Sequence, residues 1–120
     1  MNHMLLLAAA ILLGIFGQIC LKFGANFFKT IDLSSLSASS LLPLFTNPYV
    51  VFGVIAYMSS AAFWILALTK VELSFAYPLI SVSYVVVSLL SAVLFNEKIT
   101  VMRWLGIILI ALGAFFISRT

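Results

Sequence analysis

Residues 73–118 read LSFAYPLISVSYVVVSLLSAVLFNEKITVMRWLGIILIALGAFFIS. Two long apolar runs, 73–95 and 101–118, are separated only by the short polar stretch from Asn96 to Thr100. A helix that crosses the hydrocarbon core of a bilayer needs about 20 consecutive, mostly apolar residues. Both runs meet that length, and a link so short makes them antiparallel. A spanning β-barrel would instead show alternating segments of about ten residues. These runs are continuous, so the spanning element is the helix.

Working outward, two further runs have the same character, at 4–23 and 49–69. Asn47 and Pro48 stand where a helix N-cap and first helical residue belong. Lys70, Val71 and Glu72 make a tight turn between the second and third runs. The first link, 24–47, is long. Its serines (Ser34, Ser35, Ser37, Ser39, Ser40) are interleaved with Leu33, Leu36, Leu41 and Leu42. That pattern predicts a segment lying along the bilayer surface. The expectation is one all-α membrane domain over 1–120, built of four antiparallel transmembrane helices.

Composition agrees. The chain is 65% hydrophobic and 8% charged, against about 25% charged in an ordinary soluble domain. The net charge is +3, but the basic residues stand singly at the ends of apolar runs. They form no patch or stripe, so nucleic acid is not an expected partner. Cys20 is alone in the sequence, which excludes a disulfide framework and suits a small packing residue. The first run lacks a basic leader and exceeds a signal-peptide core, so it is expected to stay as a helix. Lys22, Lys29, Lys98 and Arg103 flank one membrane face; Lys70 and Arg119 flank the other. The positive-inside rule then places the first and third links in the cytoplasm and both termini outside.

Polar groups inside a span are costly unless paired, so they mark packing or function. In the third run Tyr77, Ser81, Tyr84, Ser88 and Ser91 recur at steps of four and three, one face of a helix. Such a hydroxyl stripe either lines a solvated path or bonds to a neighbouring helix. In the second, Gly53, Tyr57, Ser60 and Trp64 share a face, as a cavity wall or as core. In the first, Gly14, Gln18 and Lys22 align. Gln18 serves as an interhelical hydrogen bonder or a substrate contact, and Lys22 as an interfacial anchor or a contact for an anionic group. Gly106 and Gly113 of the fourth run share a face that permits close backbone approach and a dimer contact. Pro78 frees a backbone carbonyl and can kink the third helix. Glu97 and Arg103 bracket the last turn as an expected ion pair, with Lys22 and a lipid phosphate as the other partners open to them. No catalytic constellation or metal-ligand set is present in the sequence: His3 has no ligand partners, and no nucleophile stands beside a base. An enzyme is not expected, nor a cofactor.

These residues resemble the drug/metabolite transporter superfamily in its half-sized, four-helix form, over nearly the whole chain. The first helix AAAILLGIFGQICLKF, the glycines in GIILIALGAF, Phe63–Trp64 and Ala76–Tyr77 are similar to the small multidrug resistance branch. That branch depends on a membrane-embedded Glu, and the matching position here is Gly14; the Trp expected after Tyr77 is Ile80. Proton-coupled export of cationic drugs is therefore not implied. The agreement is more detailed with the small subunits of the aminoarabinose-phosphoundecaprenol flippase and related EamA-type proteins. It runs through GQIC-x-K at 17–22 and through FAYPLISVSYVVVSLLSAVLFNEKITVMRWLG at 75–106, with Pro78, Glu97 and Arg103 in place. The long first link is a departure from the shorter loop expected there.

The resemblance implies a flippase of the bacterial inner membrane that moves a polyprenyl-phosphate-linked sugar among membrane lipids. It implies a substrate path along Gln18, Tyr57, Trp64, Tyr77, Ser81, Tyr84 and Ser88. Lys22 and Arg103 would meet the phosphate. The working unit would be a homodimer, or a heterodimer with a similar small subunit. Two other readings stay open: a small-molecule exporter without the usual Glu, and a non-transporting assembly subunit.

Overall fold

The structure, a computed structural model, describes residues 2–29 and 34–120. Among the described residues every regular element is helical. Helix α1 spans His3–Ala25 and tightens into a 3-10 turn at Asn26–Phe28; α2 spans Ala38–Thr46, α3 Pro48–Leu68, α4 Leu73–Leu79, α5 Ser81–Leu94 and α6 Val101–Ser118. Four stretches are long and apolar enough to cross a membrane: His3–Phe28, Pro48–Leu68, Leu73–Leu94 and Val101–Ser118. The chain is a multi-pass membrane protein.

Local chemistry sets the helix ends. The Asn47 side chain accepts from the backbone N–H of Tyr49 at 3.0 Å and of Val50 at 3.4 Å, with Pro48 as the first helical residue. The N-cap and first residue lie where the sequence put them. Asn47→Ala removes both bonds and is expected to cost about 1 kcal/mol of stability, read from thermal unfolding in detergent. Thr100 caps α6 in the same way, accepting from Arg103 N–H at 3.2 Å. Between α5 and α6 the chain reverses through Asn96, whose φ of 53° is the left-handed region that asparagine tolerates. In the first link, Ser37 and Ser40 form a reciprocal capping box that starts α2. No residue of α2 is buried. Leu33, part of the pattern that suggested a surface segment, lies outside the described residues.

The third span is not one helix. Pro78 lacks the N–H that would bond four residues back, so α4 ends at Leu79 and α5 restarts at Ser81. The break is bridged by tighter bonds, Ile80 N–H to the Tyr77 carbonyl at 3.0 Å and Ser83 N–H to the Ile80 carbonyl at 2.8 Å. The expected kink at Pro78 is thus a break one residue beyond it.

The surface shows what solvent these helices face. Val101 and Met102 are each 78% exposed and Val93 75%, and large apolar side chains point outward on every span. Lipid tails are as apolar as leucine, so such faces are at rest in a bilayer, and helices associate there through close packing and hydrogen bonds. The main seam is between α1 and α3. Ala10, Gly14, Gly17, Leu21 and Gly24 of α1, at alternating steps of four and three, face Val50, Gly53, Tyr57 and Ser60 of α3. The backbones meet at Gly17 and Gly53: a Cβ on Gly17 would lie 3.1 Å from the Gly53 carbonyl oxygen, and one on Gly53 3.0 Å from that of Gly17. The Ser60 hydroxyl donates across the seam to the Ala10 carbonyl at 2.7 Å. Helix α1 also packs on α5, and α6 packs on α4 and α5. A dry cluster of Leu7, Ala67, Ala76 and Leu79 closes one end of the bundle.

Gly106 and Gly113 make no close crossing among the described residues. A Cβ added at either would meet nothing within 4 Å.

Candidate functional site

Helices α1, α3 and α5 line an open cavity of about 460 Å³ halfway along the spans. Helix α1 contributes Ala10, Ile11, Gly14 and Gln18; α3 contributes Tyr57, Ser60, Ala61 and Trp64; Ser83, Tyr84, Val87 and Ser88 come from α5, with Ile80 at its start. The space exists because Gly14 has no side chain: its nearest neighbour across the gap is the Ser60 hydroxyl, 3.5 Å from where a Cβ would be.

Five of the residues that the sequence singled out for a path line this cavity: Gln18, Tyr57, Trp64, Tyr84 and Ser88. Tyr77 and Ser81 do not. Tyr77 stands behind the wall, edge-on to Trp64 with ring centroids 6.4 Å apart. Ser81 sits to one side of the lining face. Ser81, Tyr84 and Ser88 all belong to α5, but the inward face is Ile80, Ser83, Tyr84, Val87 and Ser88, spaced as one side of a helix and turned toward Ser83. Ser81 is left at the edge of that face. Ser83 was missed because packing against α1 decides which side of α5 turns inward, and the hydroxyl spacing alone does not.

The polar groups divide into those already satisfied and those still free to bond. Gln18 donates through Nε2 to the Tyr57 hydroxyl, joining α1 to α3. Ser60 is bonded to Ala10, Ser83 donates to the Ile80 carbonyl at 2.6 Å, and Ser88 to the Tyr84 carbonyl at 2.6 Å. These serines bond to main chain, as hydroxyls in membrane helices commonly do. Among the described residues, the Tyr84 hydroxyl and the Trp64 indole N–H make no hydrogen bond, and Gln18 retains its amide oxygen. The cavity therefore offers donors and an acceptor on an uncharged wall. No residue of its lining carries a charge.

At the α5–α6 turn a base and an acid meet. Lys22, in the last turn of α1, lies 4.0 Å from a Glu97 carboxylate oxygen in the α5–α6 turn. Arg103 donates to the Lys98 carbonyl at 3.4 Å. Of the partners open to it, Glu97 thus meets Lys22 and not Arg103: α1 packs on α5 and brings Lys22 to the turn, while Arg103, in the first turn of α6, folds back on the turn's main chain. Beside the ion pair, Phe23 meets Phe95 at 4.7 Å between centroids and Tyr49 at 5.6 Å, and Phe27 meets Tyr49 at 5.9 Å. These rings tie together the same ends of α1, α3 and α5.

Comparison with known proteins adds the following. The chain matches the EamA-like transporter family over residues 1–119. A protein of Shewanella sediminis (strain HAW-EB3), named "Probable 4-amino-4-deoxy-L-arabinose-phosphoundecaprenol flippase subunit ArnF", is 41% identical over 88 residues, covering 72% of this chain and 59% of the relative. A protein of Pseudomonas syringae pv. syringae (strain B728a), named as the probable ArnE subunit of such a flippase, is 31% identical over 114 residues, 95% of this chain and 98% of the relative. An ArnE-named relative from Yersinia pestis (strain Pestoides F) is 30% identical over 118 residues, 98% of this chain and 97% of the relative. No solved structure gives a significant match.

Proposed function

Because the chain belongs to the EamA-like transporter family, we propose that it is a flippase subunit of the bacterial inner membrane that translocates a polyprenyl-phosphate-linked sugar. The observation that carries this reading is the uncharged, hydrogen-bonding cavity within the spans, with Lys22 and Arg103 at one end. A sugar head needs hydrogen-bond partners that replace water, and Tyr84, Trp64 and Gln18 supply them. A phosphate needs cations near the membrane edge. The polyprenyl tail needs nothing but lipid. Proton-coupled exchange would need an ionisable group in the cavity wall, and Gly14 stands where the small multidrug resistance branch has its Glu. The relatives' names describe subunits of an aminoarabinose-phosphoundecaprenol flippase, and we carry that substrate class to this chain. Four helices enclose little space, so the working unit is a dimer with a second copy or a similar small subunit. The open Gly106 and Gly113 face of α6 is the surface offered for it.

One competing reading has an observation in its favour. Ser60, Ser83 and Ser88 are all bonded within the chain, as they would be in an assembly subunit that transports nothing. Tyr84→Phe separates the two, because its hydroxyl supports no bond in the fold. Transport is expected to fall about threefold to tenfold, the worth of one net hydrogen bond, with thermal stability and assembly unchanged. Unchanged transport in Tyr84→Phe and in Gln18→Leu alike would remove the cavity from the path.

A further inference from the structure

We propose that Lys22 and Glu97 form an anion-exchange latch, in which the Glu97 carboxylate holds the place of a phosphate oxygen of the cargo. Arrival of the cargo's phosphate releases Glu97 and parts α1 from the α5–α6 turn. The inference rests on the transport reading above, and it adds Glu97 as a positioning residue and an order of events.

The two ends of the bundle are held by different means. At one end Leu7, Ala67, Ala76 and Leu79 form a buried cluster, Ala67 and Ala76 at 0% exposure. Parting that end breaks dense packing between α1, α3 and α4. At the other end α1 meets the turn after α5 through two adjacent contacts, the Phe23–Phe95 ring pair and the Lys22–Glu97 ion pair. The ion pair is long, at 4.0 Å, and its side chains are 45% and 44% exposed. Exposed pairs of this kind are worth little and exchange partners readily. The end that opens first is therefore the Lys22 end.

The chemistry of the exchange follows. Lys22 has three N–H donors and is met by one carboxylate oxygen beyond hydrogen-bond length. A phosphate group presents several charged oxygens and makes charge-assisted hydrogen bonds of the stronger kind. Bound to Lys22, it leaves Glu97 facing a like charge, which drives the α5–α6 turn away from α1. The cargo thus binds the open state better than the closed one, the condition for a ligand to shift such an equilibrium.

The test uses the full chain in phosphatidylcholine nanodiscs with Cys20→Ser, spin-labelled through Ala25→Cys and Lys98→Cys, whose side chains are exposed. Undecaprenyl phosphate is expected to lengthen the distance between the labels, and undecaprenol to leave it unchanged. Glu97→Gln is expected to show the long distance without ligand and to bind undecaprenyl phosphate up to about fivefold tighter, since a weak competitor is gone. Lys22→Gln is expected to show the long distance and no response to ligand. A distance that stays fixed while undecaprenyl phosphate saturates the protein overturns the latch and leaves the transport reading standing, as does weaker binding by Glu97→Gln. An equal response to inorganic phosphate at the same concentration keeps the latch and overturns the lipid-linked cargo.

Discussion

Gly53→Leu is expected to dismantle the bundle. A Cβ at position 53 would already lie 2.9 Å from Leu21 Cγ and 3.0 Å from the Gly17 carbonyl oxygen. The oxygen belongs to main chain and cannot swing aside, so α1 and α3 must separate along their whole seam. Separation also stretches the Ser60–Ala10 bond and the Gln18–Tyr57 bond. The loss should reach about 3 kcal/mol, the upper range for overpacking, which in a small membrane domain appears as loss of folded protein on extraction. Gly17→Leu should behave the same way, with main chain and Tyr57 both at 3.1 Å. Gly106→Leu is the matched control. Nothing stands within 4 Å of that position in the chain, so the monomer fold should survive. If the α6 glycine face is the dimer contact, Gly106→Leu shifts the protein from dimer to monomer in size-resolved light scattering. An unaltered dimer places the contact elsewhere.

Gly14→Phe is expected to abolish transport and spare the fold. Gly14 lies in the same row of α1 as Gly17, but at the cavity, where the only neighbour of an added Cβ is the flexible Ser60 hydroxyl at 3.5 Å. The ring then projects into the 460 Å³ cavity and competes with any head group for it. Transport should fall at least about a hundredfold, equivalent to ~2.7 kcal/mol on the barrier. Helical content and thermal stability should stay near those of the parent protein. Loss of fold at Gly14→Phe would mean that the cavity is tighter than its lining indicates. Full transport would mean that cargo crosses by another route.

The contrast between these glycines marks what the sequence made legible. Helix existence, helix ends and polarity were readable because they are local. Apolar run length sets the spans, Asn47–Pro48 announces α3, and 101–118 is α6 to the residue. Pro78 announced a distortion, but not which side of α5 turns inward, so Ser83 was passed over and Ser81 was placed on the path. Seam partners were less legible, because they depend on which helices become neighbours. Gly106 and Gly113 resemble a contact pair more than Gly17 and Gly53 do, yet the second pair makes the close crossing inside the chain. Steps of four suggested Gly14, Gln18 and Lys22 as one face. The packed row alternates four and three through Gly14, Gly17, Leu21 and Gly24, leaving Gln18 at its edge and Lys22 free to reach the α5–α6 turn. The Lys22–Glu97 pair joins residues far apart in the chain, and no local pattern chooses Lys22 over Arg103.

The most direct measurement of the central claim is translocation itself. Purified protein is reconstituted into liposomes with a polyprenyl-phosphate-linked amino sugar confined to the inner leaflet. A membrane-impermeant amine reagent then follows its appearance outside. Protein-dependent labelling is expected, and it should disappear with Gly14→Phe, fall with Tyr84→Phe and fall when Lys22 or Arg103 is neutralised. Folded dimer that yields no more labelling than empty liposomes, or labelling indifferent to Gly14→Phe, would contradict it.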